Sequence, residues 1–136
     1  MAIFEWSIRV YYEDTDAGGI VYYANYLKFF ERARTEYLRS KGFEQDQLRV
    51  QAQILFAVTE VHIKYQKPAR FNDMLMVRSE VVKLRKAAMT FQQSIHSVED
   101  PGATLCTAEV GIACLQEQTL RPARIPKAVC EALDSE

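Results

Sequence analysis

The chain of 136 residues predicts an α+β domain: one strongly twisted antiparallel sheet curling around a single long helix. Three observations carry this. Only the segment from about Asn25 to Lys41 sustains a helical apolar period. The segments after it alternate with period two and are joined by links too short for crossover helices, which implies antiparallel pairing. Helices do not alternate with strands, so a doubly wound α/β sheet is excluded.

The first strand is "IFEWSIRVYY", rich in β-branched and aromatic residues, with Ile8, Val10 and Tyr12 alternating against Ser7, Arg9 and Tyr11. Gly18 and Gly19 then mark a turn. In the long helix Tyr26, Phe30, Ala33 and Tyr37 share a face that Leu27 and Leu38 widen, and Lys28, Glu31, Arg32, Glu36 and Arg39 take much of the remainder. Gly42 follows where a left-handed cap residue belongs. "EQDQLRVQAQ" is a polar connector with room for a helical turn. Val61, Ile63 and Tyr65 alternate with Glu60, His62 and Lys64, and "YQKPARFND" turns at Pro68 and Asn72-Asp73. "MLMVRSEVVKL", "AAMTFQQSIHSV" and "TLCTAEVGIACL" are three further strands, with "RKA" and "EDPGA" as hairpin links. "RPARIP" is irregular, and "PKAVCEALDSE" closes the chain as a short helix with Pro126 near its first turn. With no linker or repeat, residues 1–136 form a single domain.

Composition narrows the function classes. A hydrophobic content of 49% with 26% charge describes a globular protein. The net charge of −1, without a basic run, points away from nucleic acid. Early charges in "MAIFEWSIRVYYED" predict no signal peptide, and no apolar stretch reaches the length of a membrane span. Cys106, Cys114 and Cys130 are odd in number and lack paired spacing, which predicts a reducing cytoplasm rather than a disulfide framework. With His62 and His96 they make no zinc-like pattern, so no metal is expected.

The chemistry concentrates between the first strand and the long helix. Glu13, Asp14 and Asp16 stand there with two adjacent glycines and without serine, cysteine or histidine. Taken alone, an Asp followed by glycines ahead of a helix is a turn former or a cap, although Asp16 lies far upstream of Asn25 for direct capping. Glu13 and Asp14 are expected to be solvated or paired with nearby Arg side chains. A helix start offers unpaired N–H groups and positive potential, so a carboxylate beside it is a cap, an anion repeller or a catalytic site.

The ordered motif R-V-x4-T-D-x2-G-I-V-Y-x2-N-Y, Arg9 to Tyr26, resembles the signature of hotdog-fold acyl-CoA thioesterases of the 4-hydroxybenzoyl-CoA thioesterase type. The continuation "NYLKFFERARTEYLRSKGF" is similar to the branch associated with the Tol-Pal system of bacterial envelopes, and the likeness runs on through "YQKPARFND" and "LRPARIP". The resemblance implies a hotdog sheet around the helix and hydrolysis of acyl-CoA to a free acid and CoA. Asp16 is then the catalytic carboxylate, either nucleophile or general base, and the Tyr23 main-chain N–H polarises the carbonyl. Gly19, Val21, Tyr22 and Tyr26 are carried over as substrate-binding, with core packing the competing role for Tyr22 and Tyr26. Many members of that branch have His where this chain has Tyr23. A tyrosine gives no base near neutral pH, so only the backbone donor carries over.

Two cation clusters, Lys83, Arg85 and Lys86 at one hairpin and Arg121 and Arg124 near the C-terminus, are candidates for the CoA phosphates, with solvated surface as the competing role. Related branches place a catalytic Glu on the helix, which brings Glu31 into view, though a helix-surface pairing is its simpler role. His62 and His96 lack the flanking motifs of a hydratase and are strand-face residues. The implied partners are the acyl-CoA substrate, further copies in a dimer or tetramer, and acyl carrier protein as a candidate. No cofactor is implied, coenzyme A being part of the substrate. A slow or non-catalytic acyl-binding scaffold is the alternative, distinguished by whether thiol is released.

Overall fold

A computed structural model of the protein describes residues 2–134. It contains β1 (Phe4–Arg9), α1 (Asn25–Ser40), α2 (Gln45–Gln51), β2 (Ile54–Tyr65), β3 (Met74–Leu84), β4 (Ala88–Ser97), β5 (Thr104–Gln116) and α3 (Lys127–Asp134). The strands form one sheet in the order β1-β3-β4-β5-β2, antiparallel throughout. The expected α+β class and the sheet around one long helix are both present. Ser135 and Glu136 of the expected closing helix lie outside the described residues.

α1 is held by burial of its apolar stripe. Tyr26, Phe29, Phe30, Ala33, Tyr37 and Leu38 are buried along it, and Tyr37 meets Phe4 and Phe91 at ring distances of 5.3 and 5.8 Å. Each fully buried large side chain contributes on the order of 1.5–3 kcal/mol. Two details differ from the expected stripe. Leu27 is 41% exposed, because the buried arc is centred on Phe30 and Ala33 and turns Leu27 outward. Arg34 is buried on that arc instead. The helix stops as Gly42 takes a φ of 92°, a left-handed conformation in which a side chain would be strained.

The strand limits also shift. β1 ends at Arg9, since Tyr12–Asp14 wind into a 3-10 turn. The polar connector becomes α2, and β2 begins at Ile54, well before the clear alternation starts. A bulge between Val58 and Glu60 changes which residues face the core and hides the period in sequence. β2 is an edge strand of 12 residues, paired on one side to β5 and exposing Val58, Val61 and Tyr65.

The two ends of the sheet are chemically distinct. The end of β1, the start of β3, the end of β2 and the start of α1 lie together, joined by Val10 N–H to the Asp73 carbonyl (2.9 Å) and Val21 N–H to the Ala69 carbonyl (2.9 Å). The β3–β4 hairpin and the end of β5 make the opposite end.

Candidate active site

The acidic corner is built around Asp14. Its carboxylate accepts the Tyr11 N–H (2.9 Å) and the Asn25 side-chain amide (2.8 Å), and its carbonyl accepts the Tyr22 N–H (2.9 Å). One residue therefore ties the end of the first strand to the start of α1. Asp14 is 4% exposed, which corrects the expectation of a solvated or Arg-paired side chain: the 3-10 turn points it inward, where two donors satisfy its carboxylate.

Asp16 opens the loop above this clamp. Its N–H donates to the Ile20 carbonyl (3.0 Å), its carbonyl accepts the Gly19 N–H (3.0 Å), and its Oδ1 accepts the Gly18 N–H (2.8 Å). The other carboxylate oxygen has no hydrogen-bond partner among the described residues and the side chain is exposed. Gly19 is required by its backbone, and Gly18 leaves room for the Asp16 carboxylate. Gly19 has a φ of 77°, and a Cβ on Gly18 would sit 3.2 Å from the Asp16 Oδ1. The turn-former role of Asp16 is thus real, and it leaves one oxygen available for chemistry.

Tyr23 stands just ahead of α1. Its N–H has no acceptor among the described residues, while its carbonyl accepts the Tyr65 hydroxyl (2.9 Å). The helix's first turn begins beside it, with Asn25 N–H to the Tyr22 carbonyl (2.8 Å). An unpaired donor at the positive end of a helix is the arrangement that receives a developing negative oxygen. Tyr65 was not foreseen as a functional residue: its sequence signal, a strand alternation, says nothing of its hydroxyl.

The four residues carried over as substrate-binding divide. Gly19 and Tyr22 are exposed at the corner, whereas Val21 and Tyr26 are both 3% exposed. Tyr26 packs edge-on against Phe29 and Tyr65, and its hydroxyl accepts the Ala69 N–H (3.0 Å). The Tyr22 phenol is raised above its ordinary pKa, first by a hydrogen bond with Tyr23 and to a lesser degree by the Asp16 charge. Burial raises those of Tyr26 and Tyr65. These three hydroxyls therefore stay protonated near neutrality. Burial also pushes the Cys106 and Cys114 thiols up to about 12 and about 11, so neither supplies a thiolate.

The expected phosphate cations are brought together but not beside Asp16. The Ile125 N–H donates to the Lys86 carbonyl (2.7 Å) and the Gln116 N–H to the Arg121 carbonyl (2.8 Å), which draws Lys83, Arg85, Lys86, Arg121 and Arg124 to one end of the sheet. That is the end opposite Asp16, separated by the length of β3, 11 residues, or roughly 35 Å. At the Asp16 end the exposed cations include Arg9 and Lys64 near the strand ends and, in the turn between β2 and β3, Lys67 and Arg70, the latter bridged through its backbone to Ile20. Lys67 and Arg70 sit in the segment whose sequence announces only a turn. Glu31 is exposed on α1 and accepts the Thr35 hydroxyl (3.3 Å). His62 lies exposed beside Glu60, and His96 is buried between Ser94 and Thr104, its pKa lowered first by burial.

Residues 10–133 match the thioesterase-like superfamily. The acyl-CoA thioesterase YbgC of Haemophilus influenzae is 44% identical over 126 residues, covering 93% of this chain and 90% of that protein. A probable thioesterase from Bartonella henselae superimposes with a TM-score of 0.85 at 34% identity, over 92% of this chain and 100% of the other. A 4-hydroxybenzoyl-CoA thioesterase in complex with 4-hydroxybenzoyl-CoA gives a TM-score of 0.89 over 97% of this chain and 99% of the other; at 19% identity it shows the shared fold.

Proposed function

The chain belongs to the thioesterase-like superfamily, and from that premise we propose how its acidic corner hydrolyses an acyl-CoA thioester to a free acid and CoA. The protein is an acyl-CoA thioesterase with the hotdog fold. One observation carries the assignment of the site: a carboxylate with one oxygen unengaged and a helix-start N–H without an acceptor stand on the same corner. The Tyr23 N–H receives the thioester oxygen as it becomes an oxyanion. The Asp16 oxygen either attacks the carbonyl carbon, giving a mixed anhydride that water then opens, or takes a proton from the attacking water. The C–S bond breaks and CoA leaves as thiolate, to be protonated by solvent. Neither route uses a histidine, a cysteine or a metal.

Thiol release from a panel of short, long and aromatic acyl-CoA esters tests this reading. Turnover of at least one ester is expected, and absence of thiol release from every member would leave the acyl-binding scaffold in its place. Tyr65→Phe tests the corner's support. It removes the hydroxyl that holds the Tyr23 carbonyl while keeping the ring, so kcat should fall several-fold with a stability loss of about 1 kcal/mol in urea unfolding. Unchanged kcat would mean that the Tyr23 peptide is positioned by other contacts.

A second copy completes the reading. The corner lies open to solvent, and β2 presents an unpaired edge with Val58, Val61 and Tyr65 exposed. Antiparallel pairing of two such edges covers this strand and sets the cation-bearing end of one copy toward the Asp16 end of the other. The hairpin cations Lys83, Arg85 and Lys86, with Arg121 and Arg124, then serve phosphates of CoA bound at the neighbouring copy's Asp16. Val61→Glu, which places like charges across that pairing, should shift the protein to monomer in sedimentation and lower kcat/KM at least about tenfold. A monomeric variant with full activity would refute the shared site. Two such dimers make the tetramer we propose, acting in the cytoplasm on acyl-CoA, with a Tol-Pal association and acyl carrier protein as a further acyl donor.

A further inference from the structure

Arg34 is 9% exposed beneath the C-terminal half of α1, a rare setting for a guanidinium. Its Nη1 donates to Gln93 Oε1 (2.9 Å). Gln93 is itself fixed, giving its amide protons to the Phe30 carbonyl (3.0 Å) and Ser79 Oγ (2.8 Å). No carboxylate among the described residues lies within ion-pair distance of Arg34. Glu31, one turn earlier, offsets the charge from its exposed position while accepting the Thr35 hydroxyl. A guanidinium stays charged in protein, and a buried one without a close counter-charge favours any ligand that brings an anion.

Such a ligand has a place to enter. Arg34 lines a cleft of about 100 Å³ whose other walls include Glu31, Leu38, Phe56, Val58, Met89 and Phe91, so an anionic tail that pairs with Arg34 shares the cleft with the Glu31 carboxylate. Its unbonded nitrogens are not sealed from accessible space, since no buried side-chain nitrogen among the described residues lacks a partner. The volume equals about three molecules of liquid water and is smaller than the cavity of about 150 Å³ that accepts benzene. It suits a two-carbon tail ending in a carboxylate.

We propose that this cleft receives the far end of the acyl group, that Arg34 binds a terminal carboxylate there, and that short monothioesters of dicarboxylic acids, of succinyl size, are the preferred substrates. The proposal rests on the acyl-CoA reading above. Within one copy the cleft is out of reach: Arg34 stands on α1 roughly 16 Å along the helix from Tyr23, too far for a four-carbon acyl group, and Phe56 and Val58 lie near the start of β2 whereas Tyr65, which holds Tyr23, ends it. Two-fold pairing about the middle of β2 sets Phe56 of one copy across from about Ile63 of the second. Each cleft then opens toward the other copy's Tyr23, and the acyl group crosses between copies.

The test compares succinyl-CoA with butyryl-CoA, which share chain length and differ in the terminal carboxylate. Wild type should show a kcat/KM ratio of at least about 10 in favour of succinyl-CoA, and Arg34→Gln should lower that ratio at least about tenfold. Should Arg34→Gln lose its fold, Arg34→Lys, which keeps the charge without the fork, decides by a ratio reduced severalfold. A wild-type preference for butyryl-CoA, or a ratio unchanged in the folded variant, overturns the proposal. Refolding Asp16→Asn together with Arg34→Gln should restore succinyl-CoA hydrolysis above either parent, since a mixed dimer contains one intact shared site; no gain overturns the crossing between copies. The two readings fail separately. Asp16→Asn retaining activity on both esters sinks the catalytic carboxylate, whereas an unchanged ratio beside an inactive Asp16→Asn sinks only the cleft.

Discussion

Asp16→Asn is expected to lower kcat for thiol release at least about a hundredfold, a loss of about 2.7 kcal/mol in transition-state stabilisation, with melting unchanged to about 1 °C. The substitution is close to isosteric. Asn keeps an oxygen that accepts the Gly18 N–H, so the loop from Asp16 to Ile20 retains its bond at 2.8 Å and its shape. What is lost is the charge and the nucleophilicity of the second oxygen, which has no partner among the described residues. A side-chain change at Tyr23 is expected to act weakly by comparison, since its donor is main-chain. Tyr23→Phe should leave kcat within a few-fold. Single turnover in ¹⁸O-labelled water tests the anhydride route: label entering the Asp16 carboxyl marks an anhydride opened at the Asp16 carbon, whereas label confined to the product acid fits both activated water and an anhydride opened at the acyl carbon. A variant Asp16→Asn that turns over within a few-fold of wild type would remove Asp16 from the chemistry.

The parts of this molecule that were legible in sequence are those set by local periodicity. Tyr26, Phe30, Ala33 and Tyr37 announce α1 because a helix burying one face must repeat its apolar residues. The hairpins announce antiparallel strands because their links admit nothing longer. α2 was legible only as a polar connector, since none of its residues is buried and it carries no apolar stripe. Arg34 shows a signal that was available: it stands eight residues after Tyr26, on the buried face, where a charge is out of place. Asp14 shows the reverse. Glu13 beside it has the same charge and the same flexible surroundings, and only the turn of the backbone decides which carboxylate points inward. The phosphate candidates show a third kind of gap. Sequence groups Lys83, Arg85 and Lys86 correctly, but strand order, not local pattern, decides that they lie at the end of the sheet away from Asp16.

The dependence of the catalytic corner on its buried clamp gives the second large effect. Asp14→Ala leaves the Tyr11 N–H and the Asn25 amide without their acceptor in a site 4% exposed. Hydrogen bonds to a charged acceptor are worth about 1.5–3 kcal/mol and an orphaned buried donor costs about 1–3 kcal/mol, so a loss of roughly 2–4 kcal/mol is expected once overlap and entering water are allowed for. Against a typical domain stability of about 5–15 kcal/mol the variant remains folded at 25 °C, with melting lowered by roughly 10 °C. Activity should fall about tenfold or more as well, because the same carboxylate holds the strand exit and the first residue of α1 in one frame. Asp14→Asn separates the contributions. It keeps the volume and one acceptor but turns an N–H toward a donor, so it should fall between Ala and wild type in both stability and kcat. A melting point equal to wild type in Asp14→Ala would show the clamp idle, and lowered melting with intact kcat would show that it stabilises the fold without positioning Asp16.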